Sequence, residues 1–568
     1  MVSIVTSGGV TLSTAQSNTA VDDPTSTGLT LSDYINGNAE MTAYTNQLDA
    51  ITTKISSNST RISAYQNMQT LLQNLEDAAQ ALAGADAQGS SADVFAERSA
   101  SLSSGSSTSA DSILSASIDP GTATGTHTVV VQRLATAEQI AGADQTSSSS
   151  ALSYSGSFTI GAGTGAATIA VTSSMSLSDI ASAINDTTST SGVGASIVEV
   201  SSSQYVLEVT ATGTDQAIAM SDLSGGILTG LGLADSSGTA QDVITQAQPA
   251  VLTVDGITGI TRTSNTVGDI IGGVTLDLAK SDSSSTITLS ITPNVDDVTS
   301  AVSTFVAAYN SWRDFYASET AVGSDGTASS SAVLFGDGTL RDANSSISDA
   351  LSNLIGSTSL GAIGISLNAD NTLSINTASL SSALSDQYSS VASLFEVQTT
   401  ASSSSLKLGY DSRSSYEGTL SLSVSVSDGV ITSASAVDAA SGATVAFSVS
   451  GTTLTAASGS LAAGLSFTYS GSGASDLTVS VSQGIADSIY QVAHNFGNST
   501  SGVVQSKITT LTDQDTTLSS QESSLQTQAN NYYDYLLNQY SYMESEISSA
   551  NTTYKLLTEM ISSDNSSG

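Results

Sequence analysis

Residues suited to chemistry are few and scattered in this 568-residue chain. It has no cysteine, which excludes thiolate catalysis, disulfides and Cys-ligated zinc. The two histidines, His127 and His494, lie in unrelated segments with no ligand pattern beside them, so each is expected to be packed or solvated. Asp296-Asp297 and the pair Asp513 and Asp515 have the look of weak calcium ligands. The first pair, however, stands where a helix N-terminus favours negative charge, and the second reads as a solvated helical face. Gly161, Gly163 and Gly165 lack the spacing of a dinucleotide loop and read as a hairpin turn. No catalytic residue, cofactor or metal ligand is expected.

What spacing the chain does have is apolar and helical. From Val504 to Ile561 there is no proline, and the stripe runs Ile508, Leu511, Leu518, Leu525, Ala529, Tyr532, Leu536, Tyr540, Met543, Ile547, Ala550, Tyr554, Leu557, Ile561. The step from Leu536 to Tyr540 breaks the three-four rhythm by one residue, as a stutter does. An unbroken helix of this length reaches on the order of 90 Å. A matching stripe occupies Met41, Tyr44, Leu48, Ile51, Ile55, Ile62, Tyr65, Met68, Leu72, Leu75, Ala79 and Leu82, with a stammer near Tyr65. The two helices are expected to pair, and part of each seam to dock on other subunits. The docking seam is read as Leu525, Tyr532, Leu536, Tyr540, Met543, Ile547, Tyr554 and Leu557, with Met41, Tyr44, Leu48, Ile51 and Ile55 on the N-terminal helix.

Between them the periodicity changes to that of short strands and turns, so the fold class is α+β and multidomain. Long paired terminal helices form a coiled-coil-like leg that carries nested, mainly-β head domains. The expected boundaries are a disordered segment 1–28, an N-terminal leg 29–88, a β head from 89–142 and 247–292, and a distal β/α head 143–246. A helical central domain 293–400, an inserted β domain 401–482 and a C-terminal leg 483–568 complete the map. Within the distal head, 211–246 is polar and glycine-rich and reads as loop with little core. The helix from Val298 to Tyr316 carries the only tryptophan, Trp312.

Net charge is −39 with twelve Lys plus Arg, which opposes binding to nucleic acid or an anionic membrane. No apolar run approaches a membrane span. The first basic residue is Lys54, so the start lacks the charged and apolar regions of a Sec signal. Hydrophobic content of 39% is enough to build cores, and Ser, Thr, Asn and Gln supply the polarity.

Several blocks, in order, resemble a known family. These are Tyr65 to Leu82 followed by Val94-Phe95, Gly125 to Gly142, Ile184-Asn185 with Gly192 to Thr210, and Ala250 to Leu278. Phe305 to Asn310, Leu360 to Ile365 with Phe395, and Met543-Glu544 follow. Together they are similar to the bacterial flagellar filament cap proteins, also called hook-associated protein 2, and Ile184-Asn185 with Gly192 to Thr210 to the flagellin hook IN motif. Residues 211–246 and 401–482 depart from the pattern. The resemblance implies a secreted, extracellular ring at the tip of the flagellum, commonly of five subunits and in some members four or six. Such a ring retains exported flagellin and promotes its polymerisation.

The resemblance also implies export through the flagellar type III channel. The implied partners are further copies of the chain, flagellin, the hook–filament junction proteins and an export chaperone, without nucleic acid or membrane insertion. Three other readings stay open at this stage. Flagellin itself or another hook-associated protein would share the paired terminal helices but not the 125–142 and 250–278 blocks. An acidic Ser/Thr-rich surface adhesin or fibre would need a Sec signal or wall anchor. A glycan hydrolase would need paired acids in an aromatic pocket.

Overall fold

The computed structural model describes residues 3–5, 11–13, 31–84, 93–352, 360–411 and 414–565. Most of the segment expected to be disordered, 1–28, lies outside these; Ser3–Val5 and Thr11–Ser13 within it pair as two antiparallel strands. The chain divides into two units, 93–298 and the remainder.

In the unit formed by 93–298, two cores lie side by side. The first is enclosed by a five-stranded sheet in the order Ile257–Arg262, Ala250–Val254, Gly125–Arg133, Asp282–Pro293, Arg98–Ser104, and by a three-stranded sheet, Thr266–Ile271, Val274–Leu278, Leu114–Ile118. Alternate residues such as Val129, Val131, Ile287, Leu289 and Ile291 point inward, as the two-residue period of a strand requires. Asp255 and Gly256 both take positive φ, the geometry of a two-residue hairpin turn.

The second core has a four-stranded sheet, Asp242–Thr245, Gln139–Ala141, Gln204–Ala211, Val193–Ser201, and a three-stranded one, Ile218–Ser224, Gly156–Ala162, Ala167–Val171. Helix Leu177–Asn185 packs on it, started by a reciprocal capping box between Ser176 and Asp179. The loop expectation for 211–246 is overturned. Ile218, Met220, Ile227, Leu228, Leu231 and Leu233 are all buried in this core. They sit on the seven-residue strand Ile218–Ser224, on the single turn Ile227–Gly230 and just after it, among Gly225, Gly226, Gly232 and Gly238, all at positive φ, and the glycine and polar content masks the core they build.

The other unit has a helical body. Val302, Phe305, Tyr309 and Trp312 of helix Val295–Glu319 are buried, and Phe305 meets Phe395 edge-on at 6.5 Å. Tyr309 donates to the Asn371 carbonyl, and the Asn310 amide both donates to and accepts from the Leu373 backbone. The pair thereby pins the hairpin Ile365–Leu367 and Leu373–Ile375 to the helix. Helix Ile485–Gly497 approaches the N-terminal long helix so closely that a Cβ on Gly497 would stand 2.7 Å from that of Leu72.

The inserted β module is an eight-stranded antiparallel sheet that starts at Gln398–Ala401 and ends at Leu406–Asp411. Only residues 402–405 separate those two end strands in sequence, so the sheet curls back on itself around Leu420, Leu422, Val445, Leu454, Leu465 and Phe467. Inside it the Tyr416 hydroxyl donates to Asp438 at 2.6 Å. Hydrogen bonds from Ser441 and then Tyr416 hold the Asp438 carboxyl down to about 2.

Candidate docking interface

Two long helices dominate this unit. Ala39–Gln80 starts at Asn38, whose side chain accepts from the backbone N–H of Glu40 and Met41. Val503–Asn565 runs 63 residues. Its polar faces are hydroxyl-rich, and Thr509, Thr510, Thr516, Ser520, Ser523 and Thr527 each donate to the carbonyl four residues back. A sequence poor in charge therefore still satisfies its helix surface.

The two helices pair antiparallel in one register. Gln69 faces Gln505, Asn58 donates to Asp515 at 2.7 Å, and Thr52 donates to Glu522 at 3.4 Å. Tyr44 then meets Tyr532 with ring centroids 6.0 Å apart, and Tyr34 of the short helix Leu31–Asn36 meets Tyr540 at 5.7 Å. At the near end Tyr65 is buried and donates to Asp337 at 2.6 Å, with Arg61 alongside at 3.8 Å. Burial, and then the Asp337 bond, push the Tyr65 hydroxyl up to about 12.

The seam is closed at both ends and loose between them. At the far end Leu31, Ile35, Met41, Leu48, Ala529, Tyr533 and Leu536 form one buried cluster, with Tyr34, Tyr44, Leu525, Tyr532, Leu537 and Tyr540 around it. From residue 49 to 64, and from 512 to 528, no side chain is fully buried. Ile51, Ile55, Ile62 and Leu518 are half-covered, and a cavity of about 560 Å³ is lined by Lys54, Asn58, Thr510, Asp513, Gln514, Thr517 and Leu518.

These contacts revise the expected seam. Leu536, Met41 and Leu48 are buried between the chain's own helices, whereas Leu525, Tyr532, Tyr540 and Tyr44 pack around them half-buried. The rhythm breaks at Ala529 to Tyr533, about two turns before the expected position. Tyr533, at 2% exposure, is the central residue and Tyr532 a flanking one. Asp515, expected on a solvated face, is a seam residue bonded to Asn58. Met543 and Ile547 are half-exposed. Beyond them, every residue from 551 to 563 is exposed, Tyr554 at 72% and Leu557 at 51%, together with Leu556, Met560 and Ile561. That end of the helix runs about 20 Å with its apolar residues in solvent.

The histidines belong to neither end of this seam. His127 bonds Asp255 at 2.7 Å, and His494 bonds Glu76 at 2.7 Å while stacking on Tyr490. The short helix Leu31–Asn36 was missed by the periodicity argument, although Leu31 and Ile35 at four-residue spacing before the Gly37-Asn38 break carry its signal.

Comparison with known proteins decides the family. The description "Flagellar hook-associated protein 2 C-terminus" matches residues 247–552, and its N-terminal counterpart matches 27–138. The chain belongs to the flagellar hook-associated protein 2 family. The flagellin hook IN motif matches 157–213, the segment that holds the capped helix Leu177–Asn185. The chain is 33% identical over 306 residues to the B-type flagellar hook-associated protein 2 of Pseudomonas aeruginosa, covering 50% of this chain and 64% of that one. It is 33% identical over 233 residues to the Escherichia coli K12 protein, 39% of this chain and 49% of that one. It thus spans about half to two-thirds of these relatives' lengths. Among solved structures, the D1-D2-D3 domains of the flagellar cap protein FliD from Escherichia coli are 28% identical at a TM-score of 0.47, covering 59% of this chain and 90% of that one.

Proposed function

We propose that this chain is a structural cap of the bacterial flagellar filament, acting outside the cell at the distal tip as a homo-oligomer that retains exported flagellin and promotes its polymerisation. Membership of the family supports the role. The observation that carries it is the bare apolar end of the C-terminal helix. A hydrophobic helix left in solvent by its own fold needs a partner, and helical subunits at a filament tip supply one. Each seam residue covered there contributes about 1.5–3 kcal/mol, less the cost of ordering it. The ring is proposed to hold five subunits, or four or six. Junction proteins and an export chaperone are proposed as further partners, and the type III channel as the route out. The domain boundaries given above are proposed to separate leg, heads and insertion.

The test is Leu557→Asp in cells whose own cap gene is deleted. Leu557 is exposed, so the protein folds and leaves the cell, while a charge set against apolar neighbours at the tip is costly. Short filaments and flagellin monomers in the medium are expected. Normal filaments would remove the docking role from this helix.

A further inference from the structure

The far end of the C-terminal helix carries two apolar stripes. The first is the line of Met543, Ile547, Tyr554, Leu557 and Ile561. The second is Tyr535, Tyr542, Leu556 and Met560, at 52%, 70%, 59% and 61% exposure. At about 100° per residue, the two stripes stand about 105° apart around the helix axis. Tyr535 is bare although Leu536 beside it is 2% exposed, so the second stripe starts where the chain still covers the first. Between Tyr542 and Leu556 the second stripe is filled by Ser549 and Thr553, whose hydroxyls donate to the Ser545 and Ser549 carbonyls. Both are satisfied within the helix and can be covered without orphaning a donor.

Charges keep off both stripes. Glu544, Lys555 and Glu559 lie together on the wide opposite face, and Glu546 falls in the narrow sector between the stripes. A helix with one stripe needs one partner, and a helix with two needs two. In a ring of parallel helices each member meets its two neighbours through different faces, because cyclic contacts are heterologous. The directions to those neighbours enclose the interior angle of a polygon. That angle is about 90° in a ring of four, about 108° in one of five and about 120° in one of six. The separation of the stripes matches five. An isologous pair of two copies would cover one stripe and leave the other wet.

We propose that in the free ring the ends of the C-terminal helices sheath one another, the first stripe of each copy packing on the second stripe of the next. The occupant of each face is a second copy of this chain. The inference rests on the homo-oligomer proposed above and names the contact that closes its leg ends. Glu546 of every copy then faces the inside of a helical barrel, while Lys555 and Glu559 face out. Docking at the filament exchanges these neighbours for other helices.

The chain has no cysteine, so introduced thiols report the intended contact alone. Met560 and Ile561 lie on different stripes at nearly one height. In a chain carrying both Met560→Cys and Ile561→Cys, each thiol faces the unlike thiol of a neighbour. The two within one helix stand about 3.8 Å apart at Cα, too close for an ordinary disulfide. Mild oxidation of the purified full chain at about 0.15 M salt should give a covalent ladder that ends at the closed ring of five. Either single variant should lose the ladder, since like positions do not meet. Leu556→Cys with Leu557→Cys, about one turn away, should restore it at a second height. Adding Glu546→Gln should strengthen it at about 0.01 M salt, where like charges are least screened. No ladder from either pair overturns the proposal, as do single variants that dimerise as fully as the pairs. A ladder that stops at two or three copies, or runs on beyond six, overturns it too. No filament is present in this assay, so its failure leaves the capping role to the Leu557→Asp test.

Discussion

Tyr533→Ala measures how the leg is held at its far end. Tyr533 is the largest side chain in a cluster whose other buried members are Leu31, Ile35, Met41, Leu48, Ala529 and Leu536. Truncating a buried large aromatic costs about 3–5 kcal/mol. The cluster is separated from the next buried layer by the half-open middle of the seam, so this loss falls on local opening instead of on the whole unit. At about 1.4 kcal/mol per tenfold, amide exchange in 31–48 and 525–540 should accelerate roughly 100- to 4,000-fold. Exchange around Tyr65, Met68 and Leu72 should not change. Tyr532→Ala, which removes a flanking ring packed on Tyr44, should give a much smaller effect. Hydrogen exchange read by mass spectrometry on the dilute monomer makes the comparison. If Tyr532→Ala matches or exceeds Tyr533→Ala, or if fast exchange spreads to Leu72, the two-ended description of the seam is wrong.

Gly497→Ala drives a methyl to 2.7 Å of the Leu72 Cβ. It should cost about 1–3 kcal/mol in urea unfolding, whereas Gly429→Ala, with open space at its Cβ but φ at +78°, meets only backbone strain. The acid limb should be set in part by Asp438. Its folded pKa is depressed to about 2 from 3.8, so its contribution is complete above about pH 4 and is lost as pH falls from 3.8 toward 2. Tyr416→Phe removes one of the hydrogen bonds to that carboxylate, and the acid transition of the inserted module, followed by near-ultraviolet circular dichroism, should move to higher pH. Finally, with a net charge of −39, self-association should strengthen as ionic strength rises from about 0.01 to 0.15 M. Sedimentation showing the opposite would point to ion pairs at the subunit contacts.

The helical frame was readable because apolar residues recur over many turns: Met41 to Leu82 and Ile508 to Ile547 each hold one face long enough for the period to declare itself. The point where the seam shifts was not. Tyr532 and Tyr533 are adjacent and identical in type, so the stripe can pass through either, and only the register against Met41 and Leu48 chooses. Asp515 and Glu522 occupy seam positions but are charged, and a search for apolar residues passes over them. In 211–246 the difficulty is different: Ile218 and Met220 alternate on a seven-residue strand flanked by polar residues, and Leu228 and Leu231 sit on a single helical turn between glycines. In the candidate interface, Tyr554 and Leu557 are exposed as a docking residue would be, whereas Leu525 to Tyr540 satisfied the same pattern by packing at home.

The half-covered middle of the seam has a consequence for the helix pair as a shaft. Fastened at Tyr65 and at Tyr533, with Asn58 and Asp515 bridging a half-covered interval, the pair resembles two stiff rods joined by a softer sleeve. Bending strain at one end is absorbed in the sleeve, because sliding a hydrogen-bonded pair through one rotamer costs little compared with opening packed leucines.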